Sequence, residues 1–173
     1  MKNLCASLVM MLAVGSAFAA PALADEYTVH VQGRQGPFPV DEPGSAGIEA
    51  LGVDYEVSVP VAFSGAGGAA SGRAKHTPLV IRKLPGASSL FFYEALLRGE
   101  HLPKVTIAAK KKGKGKEEYL IVTLENVLVT SYKTSGAGDD KPTVETISLL
   151  FDRIQLTHPP TGKQVSDSSS GRP

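Results

Sequence analysis

The chain has 173 residues, 18 Lys and Arg against 17 Asp and Glu, and a single cysteine. That length suits one domain. The charge balance excludes a strongly basic nucleic-acid binder and an acidic tail protein, and the lone cysteine excludes an intrachain disulfide or a cysteine-rich zinc site.

Lys2 is the only charge in the first 24 residues, and Leu4 to Ala20 is apolar except for Ser7, Gly15 and Ser16. Ala22-Leu23-Ala24 then places small residues where a signal peptidase reads them, and Asp25 follows. Residues 1–24 therefore predict a secretory signal peptide cleaved between Ala24 and Asp25. A stable membrane anchor is the poorer reading, since the apolar length is marginal for a span of about 20 residues and ends in small residues. Removal leaves 149 of the 173 residues, with 17 basic and 17 acidic side chains and no cysteine.

Tyr27 to Gln32 alternates apolar and polar residues, the pattern of a half-buried strand. Gly33 to Gly47 holds too many glycines and prolines for a regular element and reads as a long loop. Val53, Tyr55, Val57, Val59 and Val61 alternate with Asp54, Glu56, Ser58 and Pro60, which predicts one strand with an edge or bulge at Pro60. Ser64 to Gly72 reads as a flexible linker, and Leu79-Val80-Ile81 as a short strand. Ser88 and Ser89 precede Leu90 to Leu97, with Arg98 and Gly99 closing the run, so one helix of about three turns is expected, capped by serine at its start and glycine at its end. Phe92, Ala95, Leu96 and Gly99 share its core face.

Three further strands follow: one beginning at Val105, a long one over Tyr119 to Tyr132, and its partner over Val144 to Leu156. Ile147, Leu149, Phe151 and Arg153 of the last fall on one face by alternation. Polar turns at Lys110 to Lys116 and Ser135 to Pro142 join them into a meander. From Pro159 the chain turns polar, and residues 163–173 read as a flexible tail. The order of strands, one helix, then strands argues against a parallel doubly wound sheet. It fits a mainly β architecture, an antiparallel barrel or two-layer structure carrying one helix.

No catalytic constellation assembles in the sequence. His30, His76, His101 and His158 show no metal-ligand spacing, and no serine sits in a Gly-x-Ser-x-Gly elbow. Gly67 and Gly72 have phosphate-loop spacing but are followed by Arg73-Ala74 and open no helix. The sharpest local feature is the run Lys110, Lys111, Lys112, Lys114 and Lys116. It is a candidate interaction loop, but no aromatic residue is interleaved for base stacking. A solvated hairpin tip that discourages edge association is the better reading.

Lys75-His76-Thr77-Pro78-Leu79-Val80-Ile81-Arg82-Lys83 followed by Leu90-Phe91-Phe92-Tyr93-Glu94-Ala95-Leu96 resembles the haemolysin-coregulated protein (Hcp) family, the tube proteins of bacterial type VI secretion. Glu118 to Tyr132 looks like the family's long central strand and Glu145 to Ile154 like its last one. The likeness runs from Tyr27 to about Gly162, within a domain set at residues 25–162. It implies an antiparallel β-barrel with one flanking helix and a homo-hexameric ring. Rings stack into a tube whose lumen can carry effectors and whose partners are the spike and sheath proteins. It implies no catalytic residue; with no catalytic constellation in the chain, no enzyme activity and no cofactor are expected, and the balanced charge argues against a nucleic-acid partner. Three features depart from the family: an export leader is present, the acidic residue often found just before the helix is replaced around Leu84-Pro85-Gly86, and the loop Gly33 to Gly47 is Pro-rich where the family's early loops help ring contacts. An exported Hcp-like binding module without a tube is the alternative from a different functional class.

Overall fold

The computed structural model describes residues 25–32, 40–41, 44–64, 68–111, 117–136 and 142–169. The predicted leader, most of the Gly33 to Gly47 loop and the tips of both polar turns lie outside these residues. Strand β1 (Glu26–Gln32) follows the predicted alternation, with Val29 and Val31 buried. Then come β2 (Ile48–Ala50), β3 (Gly52–Asp54), β4 (Val57–Ser58), β5 (Val61–Ser64), β6 (Gly68–Ser71), β7 (Lys75–His76) and β8 (Leu79–Lys83). Helix α1 (Ala87–Arg98) leads into β9 (His101–Lys110), β10 (Glu118–Ser135) and β11 (Val144–His158). A 3-10 turn (Pro159–Thr161) and β12 (Lys163–Ser168) complete the described chain.

The main sheet is antiparallel and runs β2-β1-β9-β10-β11-β8-β3, with β12 paired to β11. Its two ends are joined by the chain itself. Only Leu51 separates β2, at one end, from β3, at the other, and its N–H donates to the carbonyl of Arg82 in β8 at 2.7 Å. This nearly closes the sheet into a barrel, the expected architecture. β9, β10 and β11 form the predicted meander. The barrel core joins Val29, Ile48, Leu79, Ile81, Leu102, Val105, Ile107, Leu124, Val127, Ile147, Leu149 and Ile154, with Phe92 and Ala95 of α1 packed into it.

Asn126 interrupts the regularity of β10, with φ +51°, a left-handed conformation that asparagine tolerates better than most residues. It has no register partner in β9 or β11. Its side chain instead donates to Asp152 and meets His101 Nδ1 at 2.9 Å.

Five sequence expectations are corrected. The single strand over Val53 to Val61 is three short ones, because the chain leaves the main sheet after Asp54 and Pro60 separates β4 from β5. The predicted linker from Ser64 to Gly72 contributes β6, which pairs with β5 from Val61↔Ser71 to Ser64↔Gly68. A backbone ladder can form whatever the side chains, and Gly68, Ala69 and Ala70 carry no periodic apolar signal. The tail forms a strand over Lys163–Ser168, in register with Arg153–His158. Arg153 is exposed while Ile154 turns inward, so the alternation of β11 breaks there. Helix α1 starts earlier than its serines suggested, with Gly86 at the N-cap, whereas Gly99 ends it at φ +59° as expected.

Candidate interaction surface

β4 with β7, and β5 with β6, form two small sheets outside the main one. Together they make an arm that departs from the barrel after β3 and returns before β8. Val57, Val59 and Val61 are about half exposed along it, at 51%, 46% and 50%. On α1, Ser88, Ser89, Phe92 and Ala95 are buried, while Leu90, Tyr93 and Leu97 are exposed. These last three follow the i, i+3, i+7 spacing of a single helix face. Leu90 and Leu97 reach 76% and 69% exposure. Apolar residues gathered on outward faces in this way mark contact surfaces more often than singly scattered ones do.

The arm is tied back to the barrel by a polar chain. Tyr55 Oη lies 2.5 Å from His76 Nδ1, and His76 Nε2 lies 3.1 Å from Asp167 Oδ2 in β12. With Asp167 ionised, Nε2 carries the proton and Nδ1 accepts from the tyrosine hydroxyl. The edge of the His76 ring meets the Phe151 ring. The backbone N–H of Ser168 holds the Asp167 carboxyl below the usual carboxylate range, and His76 adds to this. Burial, then the charge of Asp167, pushes the Tyr55 hydroxyl up. No local pattern could reveal this link, since His76 and Asp167 are remote in sequence and β12 carries no apolar alternation.

A second polar cluster sits under the start of α1. Alternation along β8 puts Leu79, Ile81 and Lys83 on one face, and along β11 it puts Glu145, Ile147 and Leu149 on one face. The register pairs Lys83 with Glu145 directly. Lys83 is fully buried and Glu145 is 3% exposed. Lys83 Nζ lies 3.2 Å from Glu145 Oε2 and 3.3 Å from Asp41 Oδ2, and donates to the Leu84 carbonyl at 2.6 Å. Ser89 Oγ donates to Glu145 Oε2 at 2.7 Å, and Tyr132 Oη to Glu145 Oε1 at 2.6 Å. Burial and that second bond push the Tyr132 hydroxyl up.

Asp41 also does the work the N-cap glycine cannot. Its Oδ1 accepts the Ser88 N–H at 2.8 Å, while Ser89 Oγ accepts the Gly86 N–H at 2.9 Å. The carboxylate absent from the residues before α1 thus arrives from the preceding long loop. The approach requires glycine at position 86, where a Cβ would stand 2.3 Å from Asp41 Oδ1. A pocket of about 240 Å³ opens beside this contact between Asp41, Glu49, Leu51, Leu84 and Pro85. A second, of about 230 Å³ and mostly apolar, lies between Tyr27, Tyr55, Ile107, Tyr119 and Leu156.

Of the residues the sequence singled out, Asp25 is exposed and accepts a hydrogen bond from Tyr119 Oη at 2.8 Å. Burial, then this bond, pushes the Tyr119 hydroxyl up. Ala24, Lys112, Lys114 and Lys116 lie outside the described residues. Lys110 pairs with Glu118 across the base of its turn at 3.3 Å, and Lys111 lies over the Tyr119 ring at 6.0 Å. His30 is exposed on β1, and His158 bonds Thr161 at 2.9 Å. Among the described residues, no three His, Cys, Asp or Glu side chains gather as a metal site. No helix among them is long and apolar enough to cross a membrane.

Comparison with known proteins places these features in context. Residues 35–158 match the family model for the type VI secretion system effector Hcp. A 63-residue stretch is 36% identical to protein hcp1 of Pseudomonas aeruginosa, covering 36% of this chain and 39% of that protein. A crystal structure of an Hcp protein superposes with TM-score 0.72 at 20% identity, covering 86% of this chain and all of that one. The secreted protein Hcp3 of Pseudomonas aeruginosa gives TM-score 0.65 at 22% identity, over 84% and 98% of the two chains. Hcp1 of Salmonella typhimurium gives 0.64 at 19%, over 83% and 92%.

Proposed function

Because this chain belongs to the Hcp family of type VI secretion system effectors, we propose that it acts as a structural subunit that is exported and associates with copies of itself in a closed ring. The observation that carries this reading is the arm with its three exposed valines. Apolar surface that one molecule leaves uncovered is satisfied when a like molecule covers it. A head-to-tail contact between two different faces closes into a ring when its rotation divides a full turn. Six subunits follow from the family resemblance, as do stacking into a tube, contacts with spike and sheath proteins, and a lumen that carries effectors. The leader would be removed to give a mature N-terminus at Asp25, which mass spectrometry of the exported protein would show.

The test replaces Val57, Val59 and Val61 together by serine. We expect the triple variant to keep the circular dichroism of the parent, because these side chains are already half in water, and to lose the high-mass species. A variant that still assembles would remove the arm from the contact. The alternative, a lone exported binding module, draws on the apolar pocket between Tyr27, Tyr55 and Tyr119. It requires a protein that stays monomeric and takes up a small apolar ligand there.

A further inference from the structure

The cluster of Lys83, Asp41 and Glu145 has more chemistry in it than a buried ion pair needs. Three ionisable groups are gathered beneath one helix, with the ammonium fully buried and the two carboxylates largely so. Burying charges costs heavily unless their pairing is very good, and here both carboxylates lie against the same ammonium, at 3.3 and 3.2 Å. The three groups also stand in the roles of an acyl-transfer site. Lys83 Nζ is a nucleophile once it loses a proton, and Glu145 Oε2, 3.2 Å away, is placed to take it. Tyr132 and Ser89 fix Glu145 in position through both its oxygens. Nζ also lies 3.3 Å from Asp41 Oδ2. The other oxygen of that carboxyl, Oδ1, accepts the Ser88 N–H at the start of α1. A backbone donor at a helix N-terminus is suited to stabilise negative charge developing on that oxygen.

We propose that Lys83 and Asp41 condense after folding into an intramolecular isopeptide bond, with Glu145 as the proton carrier. Glu145 takes a proton from the ammonium and passes it to Asp41 Oδ2, and the freed amine adds to Cγ of the now neutral carboxyl group. The charge on Oδ1 is held by the Ser88 N–H. The C–Oδ2 bond then breaks, and Oδ2 leaves as water carrying two of the three ammonium protons, relayed by Glu145. The third proton stays on the amide nitrogen. One ammonium and one carboxylate become one neutral amide and one water, with no change in oxidation state. Oδ1 remains as a carbonyl oxygen and keeps its bond to Ser88. The buried charges fall from three to one, and the remaining Glu145 carboxylate keeps its two hydroxyl donors. The bond would staple the long loop to β8 in a chain whose single cysteine, Cys5, permits no disulfide.

Intact-mass spectrometry of the purified, folded full chain tests this. The expected mass is lower than the sequence mass, after any leader removal, by one water. Trypsin should then release a branched peptide joining residues 35–73 to residues 83–98, uncut at Lys83. Glu145→Gln and Asp41→Ala should each restore the full mass. Asp41→Asn should give the same amide by losing ammonia instead. A folded wild-type protein that keeps its full mass after days at neutral pH overturns the proposal. So does a water loss that maps to any other pair of residues.

Discussion

Replacing Gly86 by alanine adds a single methyl group, yet the structure makes it costly for a specific reason. The new Cβ would lie 2.3 Å from Asp41 Oδ1 and 2.5 Å from its Cγ, so the Asp41 side chain must withdraw. Two interactions go with it. Loss of the side-chain acceptor on the Ser88 N–H is equivalent to loss of an N-cap, about 1 kcal/mol. In the unlinked state that the structure shows, before any bond forms between Lys83 and Asp41, loss of Asp41 Oδ2 from the buried Lys83 ammonium removes a charge-assisted contact of about 1.5–3 kcal/mol. Glu145, Ser89 and the Leu84 carbonyl remain on Lys83, so the lower end applies and the sum is about 2–3 kcal/mol. For a domain of this length that lowers Tm by roughly 5–10 °C. Asp41→Ala removes the same two interactions without the steric push and should cost about as much. Because both substitutions act through one carboxylate, the double variant should be barely less stable than either single one. Thermal and urea unfolding of the four proteins would close this cycle. Additive losses, or a Gly86→Ala variant as stable as the parent, would refute the assignment of Asp41 as the cap of α1.

Three further outcomes follow from the same geometry. Phe92→Ala should destabilise the barrel by about 3–5 kcal/mol, measured by urea unfolding, since the ring is 1% exposed in the core. Tyr55, Tyr119 and Tyr132 have folded values raised above the ordinary tyrosine value of 10.0. Their contribution to stability is therefore fully present below pH 10 and is lost as pH rises through the folded values; tyrosinate absorbance should develop later in the folded protein than in denaturant. The depressed Asp167 carboxyl works in the opposite direction. Its contribution is present above the ordinary carboxylate value and lost as pH falls through the folded one, so Asp167→Asn should flatten the acid side of the stability profile.

What could be read from the chain alone was whatever leaves a periodic apolar trace. Val29 and Val31 announced β1, and Phe92 with Ala95 announced the buried face of α1. Gly99 marked the end of the helix because the left-handed cap favours a residue without a Cβ. The elements that escaped are those held by backbone pairing or by distant polar groups. β6 reads Gly-Ala-Ala-Ser, which has no apolar alternation in its sequence, and β12 is exposed along nearly its whole length, so neither leaves a periodic apolar trace. Pairing between Lys83 and Glu145 was within reach, since each stands two residues from a core isoleucine on its own strand. A charged residue at an inward position breaks the apolar pattern, however, and alternation alone does not mark it as buried. Asp41 was hidden in a loop whose composition says only that it is irregular, and its role depends on a register that only the folded barrel defines. The arm departs from its pattern for a related reason: alternation from Val53 to Val61 is real, but Val57, Val59 and Val61 lie outside the main sheet and stay about half exposed.

Light scattering coupled to size exclusion, applied to residues 25–173 at micromolar concentration, tests the central claim most directly. One species with about six times the mass of the single chain is expected, falling to the monomer when Val57, Val59 and Val61 are replaced by serine. A wild-type protein that runs as a folded monomer across the accessible concentration range would contradict it, and would leave the arm as a surface for some partner other than a second copy.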